Sequence, residues 1–322
     1  MSSVLRWLFA TLALASAHPA VPQAYPSQPI RLIAPFPPGG SVDIMARLIA
    51  DPLAAQLGGR IVIDNRSGAS GNIGMEAAAR ANPDGYTLVL NTIPLVTNQS
   101  LFDKLTWDPI RDFAHIGMVA TAPHVLVVPR RVPATSVAEL LRLARESPGK
   151  LSYASAGIGT TFHFCAEMFK DSTGTFILHV PYRGGGPALV DTLSGQVDMS
   201  FPTLSAALPH IKAGTLRPIA LGAKERAPTA PDVPTTAEVG MPDLLIENWY
   251  GMVAPAATPP AIVATLNRVA NEAMSDPSVK EKMADQGLTL AGDSPEHFRG
   301  FIDSETKKWA NVIKEAGVET NK

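Results

Sequence analysis

The chain is almost without cysteine. Cys165 stands alone among 322 residues, so no intramolecular disulfide can form, and the count argues against a cysteine-built zinc site. Charge is sparse too: Asp, Glu, Lys and Arg make up 17%, against roughly 25% in an average soluble protein. With a formal charge of −2, no basic field calls for nucleic acid or an anionic membrane. No stretch beyond the N-terminus reaches the roughly 20 apolar residues that a spanning helix needs. Catalytic signatures are missing as well. There is no Gly-x-Ser-x-Gly elbow, no His-Glu-x-x-His pair and no pair of carboxylates at helical spacing in a candidate cleft. The later histidines are scattered singly, and His163, the one near a candidate loop, falls inside a helix where it is expected to pack. These absences ask for binding rather than bond breaking.

What is present begins with the N-terminus. "MSSVLRW" carries Arg6, and "LFATLALASA" is a short apolar run ending in small residues. That is the outline of a secretory signal peptide over residues 1–24, cleaved after Ala17 or Ala24. An exported chain without disulfides must be held by its own core, and apolar residues at 46% suffice for one.

Strands and helices then alternate, and 322 residues favour two domains. "PIRLIAP", "RIVIDNR" and "TLVLNT" read as strands separated by helices, and "VLVVP", "LSYAS", "ILHVPY", "VDMSF" and "RPIAL" repeat the pattern. Short strands alternating with helices imply βαβ units on mainly parallel sheets. Two α/β blocks are expected, each with its own sheet, meeting near "MVATAPHV". From "ENWYGMVAP" the chain returns, and amphipathic helices at 259–275, 276–286 and 295–316 are expected to dock on the first block. The boundaries are 25–122 with 248–322 for one lobe and 123–247 for the other. Two crossings make a hinge and a cleft.

Three junctions could carry chemistry. "FPPGGSVD" (36–43) separates a strand from a helix. Ser41 is the expected N-cap and Asp43 sits in the first turn, favourable for the macrodipole. Gly39 and Gly40, without side chains, would let backbone N–H groups approach an anion. "SAGIGTT" (155–161) repeats the arrangement with Ser155, Gly157, Gly159 and Thr160; Phe162 stands where a dinucleotide fingerprint needs its third glycine. In "YRGGGP" (182–187), Arg183 could pair with a second carboxylate or form a salt bridge. "SGASG" (67–71) reads as a plain tight turn. Phe36, Phe201 and Trp249 could wall a pocket or sit in the core. Two open helix beginnings facing one another would hold a carboxylate without a buried Arg or Lys, each charge-assisted bond contributing roughly 1.5–3 kcal/mol.

The strings "YPSQPIRLIAPFPPGGSVDIMARLIADPLAAQLGGRIVIDNRSGASGNIG", "LSYASAGIGTTFHF", "VPYRGGGPALVDTLSGQVD" and "WYGMVAPAATP" resemble the solute receptors of tripartite tricarboxylate transporters, the Bug-type proteins. The likeness covers essentially everything after the signal. It implies a two-lobed periplasmic binding fold of type II-like α/β architecture, a small di-, tri- or aromatic carboxylate as ligand, no enzymatic activity and no cofactor or metal. Its implied partner is a membrane permease of one large and one small subunit, or in some relatives a sensor. It implies ligand contacts from the loops around Phe36, Gly39, Gly40, Ser41, Asp43, Ser155, Gly157, Gly159 and Thr160. Thr92, Arg183 and Phe201 are further candidates for specificity. Two departures stand out: Ser70 where glycine is common, and Pro202 where some relatives carry an acidic residue. A monomer is expected. The rival reading, a secreted α/β hydrolase, requires a nucleophile beside a base.

Overall fold

The computed structural model describes residues 25–315 apart from Ile246; the expected signal peptide lies outside the described residues. β1 (Ile30–Ala34) is apolar and buried, as a strand flanked on both sides must be. It pairs in parallel with β2 (Ile61–Asn65) and β3 (Thr87–Asn91). The crossovers are α1 (Ser41–Leu57), which ends at the left-handed Gly58, and α2 (Asn72–Ala79). α3 (Pro94–Leu101) follows β3 and was not expected from sequence. It is short and buried nearly all round, so it shows no amphipathic period, and its Thr97 and Asn98 read as loop.

β4 (Phe113–Pro129) corrects the idea of two separate sheets. Its first part runs antiparallel to β9 (Glu247–Pro255), from Phe113 opposite Pro255 to Pro123 opposite Glu247. Its last part runs antiparallel to β8 (Leu216–Gly222), with His124 opposite Gly222, and also touches β7 (Met199–Ser200). The strand passes through the junction near "MVATAPHV" unbroken, because Pro123 falls where one set of partners ends and the next begins. β5 (Ser152–Ser155) pairs in parallel with β7 and with β6 (Leu178–Pro181). Each half therefore has a parallel trio, and β4, β8 and β9 are antiparallel.

α4 (Val137–Glu146), α5 (Thr161–Thr173), α6 (Gly185–Ser194) and α7 (Leu204–Lys212) flank the second half. The tail helices α8 (Pro260–Ser275), α9 (Pro277–Asp285) and α10 (Pro295–Glu315) come after β9. α8 packs on β4 and α1, and α10 packs on β4 and α3. β10 (Thr289–Leu290) adds a short antiparallel rung to β4. Trp249 is not a pocket wall. Its ring meets Phe298 and Phe301 edge-on, deep in the core beneath α10.

Candidate functional site: converging helix beginnings

A hollow of about 20 Å³ lies where loops from both halves of the sheet meet. Four helix beginnings reach it: Gly40 and Ser41 of α1, Pro94 of α3, Thr160 and Thr161 of α5, and Gly185 of α6. The first turn of a helix has N–H groups with no intrahelical acceptor, and none of these four carries a side-chain cap. By contrast, Ser136 caps α4 and Asp276 caps α9, and neither helix lines the hollow. No charged side chain lines it either. The helix beginnings therefore give the hollow a positive potential without a formal cation.

At α1, Gly40 is the N-cap in extended conformation, with the left-handed Gly39 before it. Ser41 is the first helical residue, not the cap expected from sequence. Asp43 is also placed differently from expectation. Its carboxylate accepts the Gly39 N–H at 3.0 Å, the Asn65 amide at 3.1 Å and the Arg47 guanidinium. Burial opposes its ionisation, but Arg47, Gly39 and Asn65 outweigh that and hold it below the usual carboxylate range. Asp43 braces the turn and lines neither hollow described here.

At α5, Gly157 and Gly159 both have positive φ. The Thr160 hydroxyl donates to the Gly157 carbonyl at 2.7 Å and so neither caps the helix nor faces a ligand as a free donor. Ser155 lies behind this loop, fully buried. Its Oγ accepts the Gly157 N–H at 3.2 Å and lies 2.6 Å from His179 Nε2. His163 Nδ1 accepts the Gly159 N–H at 3.4 Å. The His179 ring is stacked between Tyr153 and His163, with centroids 4.6 and 4.5 Å away. Burial, chiefly, pushes both imidazoles down to about 4, so both are neutral near pH 7. Ser155 beside His179 is the pairing the hydrolase reading asked for. Its oxygen, however, is buried behind the loop and already engaged by Gly157.

At α6, the glycine triplet lets two backbones touch. A Cβ on Gly186 would lie 2.5 Å from the Pro38 carbonyl, and one on Gly40 would lie 3.4 Å from the Gly186 nitrogen.

Asn248 is a site residue that sequence reasoning missed. Its Oδ1 accepts from Thr92 Oγ1 at 2.6 Å and from Thr161 Oγ1 at 3.1 Å. Its Nδ2 is buried with no partner among the described residues, and the residue lines the hollow. A buried donor left unpaired costs about 1–3 kcal/mol, so it calls for an acceptor. The available signal was a lone amide opening the returning strand.

A second hollow, of about 280 Å³, shares Phe36 and Ala156 with the first. Gly68 to Gly71, Phe102, Gly157 and Arg183 also line it. "SGASG" is thus more than a connecting turn: Ala69 and Ser70 both take positive φ against this hollow. Arg183 is exposed and makes no salt bridge among the described residues. Phe201 is elsewhere, packed on Phe169 in the core, with its carbonyl bonded to His124 Nδ1 at 2.8 Å. Of the two readings open for Phe201, pocket wall or core, its packing is that of the core. A larger hollow of about 680 Å³, around Pro123, Glu247 and Leu288, receives no helix beginning. Among the described residues there is no group of three His, Cys, Asp or Glu able to hold a metal ion, and no helix long and apolar enough to cross a membrane.

Two α/β halves joined through β4, with a hollow ringed by helix beginnings at the ends of their strands, have the fold of periplasmic binding proteins. The chain belongs to the tripartite tricarboxylate transporter receptor family, whose model matches residues 45–318. It is 39% identical to BugT of Bordetella pertussis over 305 residues, 94% of either chain. Among solved structures it is similar to an R. palustris protein, Rpa4515, determined with adipate. That match has a TM-score of 0.88 and 36% identity, covering 92% of this chain and 99% of that one. MatC from Rhodopseudomonas palustris, with bound malate, matches with a TM-score of 0.84 and 30% identity, over 90% of this chain and 100% of the other.

Proposed function

We propose that the protein is a non-enzymatic periplasmic receptor that captures a small organic dicarboxylate and hands it to a membrane permease. The observation that carries this reading is the meeting of four uncapped helix beginnings and the unpaired Asn248 amide in one hollow free of charged side chains. The two oxygens of a carboxylate can accept from the open amides of α1, α5 and α6 and from Asn248, while α3, which begins at Pro94 with Leu95 and Val96 already bonded, contributes only its dipole. The 20 Å³ hollow has room for about one water-sized atom and so takes one carboxylate oxygen, and the 280 Å³ hollow beside it takes the body of the molecule between Phe36 and Phe102. Arg183 at that second hollow pairs with the far carboxylate. The adipate and malate found in the two R. palustris receptors support this ligand class.

Residues 25–122 with 248–322 form one lobe, 123–247 form the other, and the β4/β9 crossing at Pro123 and Glu247 serves as the hinge. Export through a cleaved signal at residues 1–24 delivers the receptor as a monomer to the periplasm, where the permease is its partner. The test is a thermal-shift screen of succinate, malate, adipate, citrate and benzoate. A ligand that binds only the folded state raises Tm by mass action, by about 2.7 kcal/mol of stability at a hundredfold excess over Kd. Dicarboxylates should give the largest shifts; none from any acid, or hydrolysis of ester analogues, would overturn the reading.

A further inference from the structure

Ser70 and Thr97 belong to neighbouring segments of the first half of the fold. Both donate to the loop that precedes α5 in the second half. Ser70 Oγ donates to the Ile158 carbonyl at 2.9 Å, and Thr97 Oγ1 donates to the Gly159 carbonyl at 2.9 Å. Two successive carbonyls are thereby held from the same side. Ser70 is itself fixed: its own carbonyl accepts from Asn98 Nδ2 at 3.0 Å, and Asn98 also bonds Asn72 at 2.8 Å. Its backbone is left-handed at φ 52°, ψ 36°, a conformation costly for a residue with a Cβ. Glycine would take that conformation without cost but would bring no hydroxyl.

We infer that Ser70 and Thr97 are positioning residues: by holding the Ile158 and Gly159 carbonyls, they fix the loop that leads into α5, whose first-turn amides receive the ligand carboxylate, and they hold the two halves shut over it. This inference rests on the receptor reading above. A peptide plane has its N–H opposite its C=O, so restraining these two carbonyls turns the following amides of Gly159 and Thr160 away from the donors and back into the protein, the Thr160 N–H onto the Gly157 carbonyl at 3.3 Å, which fixes the course of the loop into the first turn of α5. The Gly159 N–H reaches His163 Nδ1 in that arrangement. Both bonds join segments far apart in sequence, one from each half of the fold, so opening the halves breaks them. Ser70 thus exchanges backbone ease in the open protein for a bond in the closed one.

The test compares wild type with Ser70→Ala and Ser70→Gly by stopped-flow release of malate and adipate, alongside Tm without ligand. Both variants remove the hydroxyl, and the loss of one such bond should speed release about three- to tenfold, with the association rate nearly unchanged. The Tm of the ligand-free protein should stay level for Ser70→Ala and rise for Ser70→Gly, because glycine relieves the left-handed backbone. A fall in ligand-free Tm with unchanged release rates would overturn the inference and leave Ser70 a purely structural residue. Equal release rates in all three proteins would also overturn it while leaving the receptor reading intact. Wild type binding neither acid would remove the receptor reading for these ligands, and the inference with it.

Discussion

At the scale of single residues, the site is decided as much by missing side chains as by those present. Gly186 is the sharpest case, because a methyl there would meet the Pro38 carbonyl at 2.5 Å, backbone against side chain with no rotamer to relieve it. Overpacking of this kind costs about 1–3 kcal/mol. Gly186→Ala should therefore weaken ligand binding at least about tenfold, as titration calorimetry would show, while ligand-free Tm changes little if the halves can part. A variant that bound normally would show that the two loops need not touch. The glycines were legible in the sequence because strand, small-residue turn and helix followed one another. Asp43 was legible only as a first-turn charge; that it turns back onto Gly39, Arg47 and Asn65 depends on residues as far as 22 positions away. Asn248 was not legible, since its partners Thr92 and Thr161 come from distant segments.

At the scale of elements, side-chain caps occur on helices away from the hollow, although α2, α7 and α8, also away from it, begin without one. α4 and α9 start with Ser136 and Asp276, whose side chains accept the first amides, whereas α1, α3, α5 and α6 leave theirs uncapped at the hollow. Asp276→Ala should cost about 1 kcal/mol of stability and leave ligand affinity unchanged, measured by denaturant unfolding and calorimetry on the same preparation. A matching loss of affinity would blur the distinction between structural and binding helix ends. Most helices and strands could be read from periodicity. α3 could not, because a helix buried on nearly all sides has no polar face to reveal its period. The antiparallel strands escaped for a related reason: β4 and β9 are buried strands like the parallel ones, and burial alone does not tell direction.

At the scale of the whole molecule, three buried histidines and the half-buried His179 govern the response to acid. His115, His124, His163 and His179 are each pushed down to about 4, principally by burial, against about 6.5 in an unfolded chain. Between those values the unfolded state binds more protons, so stability rises with pH across that window. Tm should be level above pH 7 and fall as pH drops from about 6.5 towards 4. Carboxylates held low, such as Asp43 and Glu167, add their loss further down. A Tm unchanged between pH 7 and 4.5 would show that these imidazoles are not buried neutral. The two-part architecture was legible from the alternation of elements and from the returning "WYGMVAP". The shared strand β4 was not, because Pro123 looks like a boundary in a sequence and turns out to mark only a change of partner.

The most direct measurement is a calorimetric titration of one protein with a matched pair of compounds, adipate and its neutral diamide, at pH 7. The two have closely similar shapes, so they differ mainly in the charge offered to the helix beginnings and to Asn248. Adipate should bind with micromolar or tighter affinity and the diamide at least about a hundredfold more weakly, the loss expected when charge-assisted bonds become neutral ones. Equal binding of the two would contradict a seat built to hold a carboxylate.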